Sequence, residues 1–534
     1  MSDRITLHLL KLPSAFLALL IQRVASGPGG LASAAALSQT CKSLHSLSEG
    51  PAVTYSNIHV PGTIGSPAHQ VWQWLARRSG RVAGLSLEVC VEAFSGGNEP
   101  SENDEVLGWI PQNEAAETNE LREWTQPLQT LSGIPGVQMT VDWEGRIVDR
   151  DHLAISQWLT QHGSIINQLT MQVHISEDRL NLRDFAEAAA LCRSINLAIS
   201  CENDVSIDLA ELAPLAGSLG RLTCNGELEF EFGILRGCSA LSNLRQLTSL
   251  CLLDLDLMNE QPWDHLAKLT SLEQLSLEVS ARGDPSPLSA LTRLSSLRLE
   301  SRGPHQWQAD MNLFGFSSLQ PLSTLQQLQK LALNANACTA TSLHGLAALS
   351  NLKDVAVEFL TGTLRSLEGI GSGVAGLSIQ FASHLVSLSG IERCSRLSSL
   401  FLHFCGVSSL QPCQSLSSLE NLNVSYCHLT SLEGLCGTSL QYVRLYRCTS
   451  LTCLSGIEQL TALKSLEVRR CGVTSLQPLF HLREGLEHLH VDGCSEAREV
   501  VLELPNVQPT ASVEVYGCSV KEVVLAGGVV RAVP

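Results

Sequence analysis

Five segments between Leu397 and Cys494 spell one phrase: LSSLFLHFC, LENLNVSYC, LQYVRLYRC, LKSLEVRRC and LEHLHVDGC all read L-x-x-[LV]-x-[LV]-x-x-C. Their first leucines, Leu397, Leu419, Leu440, Leu463 and Leu486, lie 22, 21, 23 and 23 residues apart. Self-similarity at such a period means that each phrase is one supersecondary unit. Residues two apart in a strand share a face, so Leu400 and Leu402 point one way while Phe401 and His403 point the other. The few leucines of one repeat cannot offset the entropy of ordering it, so a single copy does not fold alone. Stacking solves this, because each repeat buries its leucines against two neighbours and pairs its strand with theirs.

The pattern extends in both directions. Leu247, Leu272, Leu294, Leu328, Leu352 and Val374 lead into Leu397, with residues 301–316 inserted after Leu299. Before them come Val82, Leu85 and Leu87, then Val137, Met139 and Val141, then Ile166, Leu169 and Met171, then Cys192, Ile195 and Leu197, then Leu219, Leu222 and Cys224. These units are longer, 26 residues from Ile166 to Cys192, which leaves room for an outer helix with the composition of LNLRDFAEAAALC. In the shorter units, SLQPL, SLEGL and SLSGI recur between strands and read as turns. After Cys494 the array is expected to continue through Val513, Val515 and Cys518, then Val523 and Leu525, with VVLAGGVVRAV as an edge strand and cap. Gly371, Gly373 and Gly376 satisfy G-x-G-x-x-G, but they lead into a strand rather than open a helix, so they read as turn glycines.

The repeated phrase resembles the leucine-rich-repeat family closely. The resemblance implies an α/β fold: a leucine-rich-repeat solenoid with a curved parallel β-sheet on its concave face. It also implies that Cys405, Cys427, Cys448, Cys471, Cys494 and Cys518 face inward and hydrogen-bond to neighbouring backbone.

A formal charge of −17 and a pI near 5.4 argue against a general nucleic-acid binder, which neutralises many phosphates with Lys and Arg. Six of the 18 cysteines occupy one repeat position and no C-x-x-C pair occurs, so buried thiols in a reducing compartment are expected rather than disulfides or structural zinc. A cytoplasmic or nuclear location follows. Lys11 and Pro13 interrupt LHLLKLPSAFLALLI, which makes a poor secretion signal, and no run is long enough for a bilayer, so no membrane association is expected.

Residues 1–60 differ from the repeats. Phe16, Leu17, Leu20, Ile21 and Val24 follow helical spacing after Leu12-Pro13, and a second helical run from Leu31 follows a Gly-Pro-Gly-Gly break. The text L-P-x-x-[FL]-L-x-x-[LI]-[LI], a loop, then Ala-Leu-Ser-Gln-Thr-Cys-Lys-Ser-Leu resembles an F-box over about 45 residues. Leu12, Pro13, Phe16, Leu17 and Leu20 match the family's first helix, and Leu37, Cys41 and Lys42 its V-C-[KR] segment. Leu44 stands where the family has a Trp. The resemblance implies docking on a Skp-type adaptor linked to a cullin scaffold, through Leu12, Pro13, Phe16, Leu17, Leu20, Cys41 and Lys42. The alternative is a helical cap over the first repeat, with Leu12, Phe16 and Leu17 packed on Val82 and Leu85. The expected organisation is thus 1–60 F-box-like, 61–93 a connecting helix and first repeat, 94–130 an acidic insertion carrying Trp109 and Trp124, and 131–534 the solenoid.

No Ser/His/acid or Cys/His constellation, nucleophile elbow or metal-ligand set can be assembled from spacing, so a non-catalytic protein without cofactor is expected. The chemistry lies in the outward-facing column Phe401, His403, Asn423, Tyr442, Arg444, Tyr446, Glu467, Arg469, His488, His490 and Asp492. Aromatics interleaved with Arg are what binding hot spots favour. His488, His490 and Asp492 share one face but lack a further partner that would secure a metal. The reading that follows is a substrate-recognition subunit of a cullin-type ubiquitin ligase, monomeric outside its complex, with a protein substrate on the concave face. The alternative is a repeat scaffold or regulator unconnected to ubiquitin.

Overall fold

The computed structural model describes residues 58–60, 85–92, 137–147, 152–175, 182–201, 206–226, 233–257, 261–280, 283–301, 315–335, 338, 340–358, 364–435, 439–482 and 485–533. The F-box-like residues Leu12 to Lys42 and the acidic segment 94–130 lie outside these. The chain divides near residue 248 into two compact units.

In the first unit, β1 (Ile58–Val60), β2 (Leu85–Glu92), β3 (Val137–Ile147), β4 (Ile166–Ile175), β5 (Ile195–Cys201) and β7 (Leu219–Gly226) pair in parallel, each with the next. The short strands β6 (Ser206–Asp208) and β8 (Gly233–Arg236) form a further parallel pair. Two helices connect strands, α1 (His152–His162) between β3 and β4 and α2 (Leu182–Ala189) between β4 and β5. The longer repeats do hold a helix: α2 buries Leu182, Phe185, Ala186, Ala188 and Ala189 and leaves Arg183 and Glu187 paired at 3.2 Å in solvent. The alternation reaches the core as read, with Leu169, Met171, Ile195, Leu197, Leu222 and Cys224 all buried.

The second unit contains β9 (Ser249–Asp256), β10 (Gln274–Ser280), β11 (Ser296–Ser301), β12 (Lys330–Ala335), β13 (Asp354–Glu358), β14 (Gly376–Gln380), β15 (Ser399–His403), β16 (Asn421–Ser425), β17 (Tyr442–Tyr446), β18 (Ser465–Arg469) and β19 (His488–Asp492). Consecutive strands pair in parallel, and from β13 onward equivalent residues stand side by side: Phe401 beside Asn423, then Arg444, Glu467 and His490. Inside, Leu400, Leu402, Leu422, Val424, Val443, Leu445, Leu466 and Val468 are at most 2% exposed. This is leucine-rich-repeat geometry.

The return segments are turns in place of full helices. They are of two kinds: 3-10 turns opened by proline, at Pro321, Pro412 and Pro478, and, two between each successive pair of these, turns built on glycine at Gly369, Gly390, Gly434 and Gly456. The cysteine column faces inward. Cys405 donates to the Ile379 carbonyl at 3.5 Å, Cys448 to Val424 at 3.6 Å and Cys471 to Leu445 at 3.7 Å, each reaching back one repeat. A thiol serves here because it is small and apolar enough for the core while its weak donor reaches a backbone carbonyl of the preceding repeat.

The C-terminal end departs from the expected order. β21 (Ser512–Tyr516) joins the main sheet beside β19, but β20 (Val501–Leu504), β22 (Glu522–Leu525) and β23 (Val530–Ala532) form a separate sheet. Val523 and Leu525 therefore continue this second sheet rather than the main array. The turn at Gly527 and Gly528, both with positive φ, lets β23 run back antiparallel on β22.

Burial raises the thiols of Cys413 and Cys192 to about 12, whereas Cys518, half-buried at the end of its column, is lowered to about 7 because the Cys494 thiol donates to its sulfur. The thiolate is the reactive species. Iodoacetamide at pH 7.5 is expected to alkylate Cys518 first among the described cysteines, with Cys413 unlabelled until urea unfolds the array. Peptide mass mapping over time reads the order, and Cys413 reacting as fast as Cys518 would contradict it.

Candidate concave binding face

The outward residues of the parallel strands line a groove of about 780 Å³ that runs from β11 to β18. Small side chains line its middle: Ala332, Ala356 and Ser378 stand side by side on β12, β13 and β14, with Gly376 beside Asp354. Its C-terminal end is large and mixed, formed by Phe401, Asn421, Asn423, Tyr442, Arg444 and Glu467. Tyr442 is 48% exposed.

Charges in this face are arranged in chains. Arg444 Nε lies 2.5 Å from Glu467 Oε2, whose other oxygen receives Arg469 Nη1 at 3.2 Å; Arg469 Nε then lies 3.6 Å from Asp492. At the opposite end Arg298 sits between two nearly buried carboxylates, 3.1 Å from Glu300 and 3.9 Å from Glu278. Asn334 adds a hydrogen bond to Glu300 at 3.4 Å. Such networks hold long side chains in one geometry before a ligand arrives, which lowers the entropy lost on binding.

Every residue of the sequence-derived column from Phe401 to Asp492 lies on this face, in three rows. The groove contains Phe401, Asn423, Tyr442, Arg444 and Glu467. His403, Tyr446, Arg469, His488, His490 and Asp492 lie outside its lining. His490 Nδ1 is 2.9 Å from Glu514 Oε2. Among the described residues no group of three His, Cys, Asp or Glu side chains is disposed to hold a metal, and no helix is long and apolar enough to cross a membrane.

His403 is half-buried within an aromatic cluster: Phe404 at 4.7 Å, Tyr426 at 5.4 Å, Phe381 at 5.6 Å and Phe401 at 6.0 Å between ring centroids. Burial lowers its pKa against the opposing pull of Glu358, and its Nδ1 is buried without a hydrogen-bond partner. Three of these rings, Phe381, Phe404 and Tyr426, belong to a row that the alternation argument passes over. They follow the last strand residue, where the backbone turns left-handed. The signal was present as the residue before each column cysteine, in HFC, SYC, YRC and RRC. The period-two rule assigns that position no face.

No family model matches the chain, and no curated protein matches it in sequence. Solved structures resemble it in fold. An internalin of Listeria monocytogenes is 19% identical with a TM-score of 0.40, over 54% of this chain and 81% of its own. A leucine-rich-repeat protein of Leptospira interrogans is 17% identical with a TM-score of 0.46, over 69% and 87%. A plant peptide hormone receptor solved with its hormone is 12% identical with a TM-score of 0.41, over 85% and 79%. At these identities the likeness concerns fold alone.

Proposed function

We propose that the chain is a non-catalytic protein-recognition module whose concave face holds a protein partner, and that it serves as the substrate-receptor subunit of a cullin-type ubiquitin ligase. The observation that carries the first part is the groove itself. Its floor of Ala332, Ala356, Gly376 and Ser378 admits a partner's side chains, and the aromatic and guanidinium groups of Phe401, Tyr442 and Arg444 stand at one end. A partner buried there displaces water from apolar floor and ring faces while the prearranged charges fix its register. The ligase assignment rests on the F-box-like text of residues 12–42, with Leu12, Phe16, Leu17 and Leu20 as the adaptor contact; ubiquitin transfer itself would belong to other subunits.

Affinity purification of the full chain from cells tests both parts. The Phe16→Ala/Leu17→Ala variant is expected to lose the Skp-type adaptor and cullin while retaining groove-bound partners. Ala356→Arg is expected to do the reverse. Adaptor absent from the wild-type purification would remove the ligase assignment and leave the recognition module standing.

A further inference from the structure

The left-handed row beside the concave face carries more side chain than its backbone calls for. Phe381, Phe404, Tyr426, Arg447 and Arg470 all have φ between 50° and 55°, one per repeat, and Gly493 and Gly517 continue the row at 65° and 60°. Each position does the same structural task. Its N–H donates to the last strand carbonyl of the next repeat: Phe404 to Ser425 at 3.0 Å, Tyr426 to Tyr446 at 2.8 Å, Arg447 to Arg469 at 2.9 Å, and likewise Gly493 to Tyr516 at 3.0 Å. Glycine performs the task without the crowding that Cβ suffers there. Five large residues at this position are therefore not required by the repeat.

Their side chains make a continuous strip. Phe381 stacks on Phe404 at 5.4 Å and 8°, Phe404 on Tyr426 at 4.2 Å and 14°, and the Arg447 guanidinium covers Tyr426 at 5.4 Å and Tyr446 at 5.6 Å. The stacking gain and the left-handed strain are of similar size, so the strip adds little net stability. Phe404 remains 41% exposed. Its charge also differs from that of the groove. Arg444 and Arg469 are neutralised by Glu467 and Asp492, whereas Arg447 and Arg470, both exposed, have no carboxylate partner among the described residues.

We propose that the strip from Phe381 to Arg470 docks an extended peptide segment of the protein partner, one that carries an aromatic or large aliphatic residue followed by carboxylates. The inference deepens the recognition reading and rests on it. Charge order fixes the occupant's chemistry: the exposed edge of Phe404, between half-buried Phe381 and Tyr426, takes an apolar or aromatic side chain in edge-to-face contact, and the two uncompensated guanidiniums take carboxylates. Four repeat steps of about 4.8 Å make the strip about 19 Å long, room for about six residues of extended chain at about 3.3 Å each.

Selection of a phage-displayed random-peptide library against the full chain tests this, with two variants that use the array's own solution, Phe404→Gly/Tyr426→Gly and Arg447→Gly/Arg470→Gly. Enriched peptides are expected to carry an aromatic or large aliphatic residue with Asp or Glu a few positions later. Each variant should bind them about ten-fold more weakly, and the arginine pair should lose most of the salt dependence. Circular dichroism should find both variants folded, because glycine relieves the strain. Should the aromatic pair fail to fold, the arginine pair and the salt titration still decide. No enrichment, enrichment without the acidic part, or equal binding to wild type and variants would overturn the proposal. Peptides that bind both variants like wild type but are lost with Ala356→Arg would overturn it while leaving the recognition reading intact.

Discussion

Replacing Gly390 with alanine is expected to destabilise the repeat array by about 3–5 kcal/mol, the sum of a strained backbone and an overpacked contact. Gly390 sits in the SLSGI turn with φ at 105° and ψ at −23°, a conformation that side-chain-bearing residues rarely adopt. A Cβ there would stand 2.6 Å from the Leu367 carbonyl carbon and 2.7 Å from the Glu368 nitrogen, both backbone atoms of the preceding repeat that cannot rotate away. Because repeats are held by nearest-neighbour contacts, the damage should centre on the two that meet at this turn. Urea unfolding measures the loss, and hydrogen exchange of peptides from 364–410 locates it. The next repeat supplies the comparison. Its turn is built on Pro412, and Pro412→Ala should cost less than about 1 kcal/mol, since alanine can adopt proline's φ and only the unfolded chain gains freedom. An equal cost for the two substitutions would contradict the structural account of the turns.

Placing arginine at residue 356 is expected to weaken capture of the groove's partner by more than about 100-fold, or about 3 kcal/mol, while changing stability by less than about 0.5 kcal/mol. Ala356 lies between Ala332 and Ser378 on the groove floor, with its side chain on the outward face and not in the core. Arginine there fills the space a partner needs with a long charged side chain, a steric and desolvation barrier of the kind by which interfaces reject wrong partners. Titration calorimetry or surface capture with the purified partner reads the affinity, and thermal unfolding reads the stability. Ala290→Arg, in the 3-10 turn Ser286–Ala290 and exposed, is the matched control and should leave capture unchanged.

The core was legible because leucine spacing states both the period and the face: Leu400, Leu402, Leu422 and Val424 are buried as the alternation requires, and the cysteine column faces inward. The concave column was legible for the same reason, since whatever is not core on a strand lies opposite it. What the sequence did not single out was the groove. Ala332, Ala356, Gly376 and Ser378 are plain as residues, and they matter through the space they leave, which depends on which strands stand side by side. The stacked row escaped because it lies one residue past the strand, where the left-handed turn redirects the side chain and period two no longer applies. Val523 and Leu525 imitate the repeat alternation, but partner choice between sheets is set by chain path, and they pair with β20 and β23.

Site-specific photo-crosslinking tests the concave-face account most directly. p-Benzoylphenylalanine is introduced in place of Phe401, which lines the groove, or in place of Phe480, an equally aromatic residue that is 40% exposed in the 3-10 turn Gln477–His481. Irradiation of cells expressing each form is predicted to give a discrete covalent partner adduct from position 401 that Ala356→Arg abolishes, and none from position 480. An adduct from position 480 alone, or one from position 401 that survives Ala356→Arg, would contradict recognition through the groove.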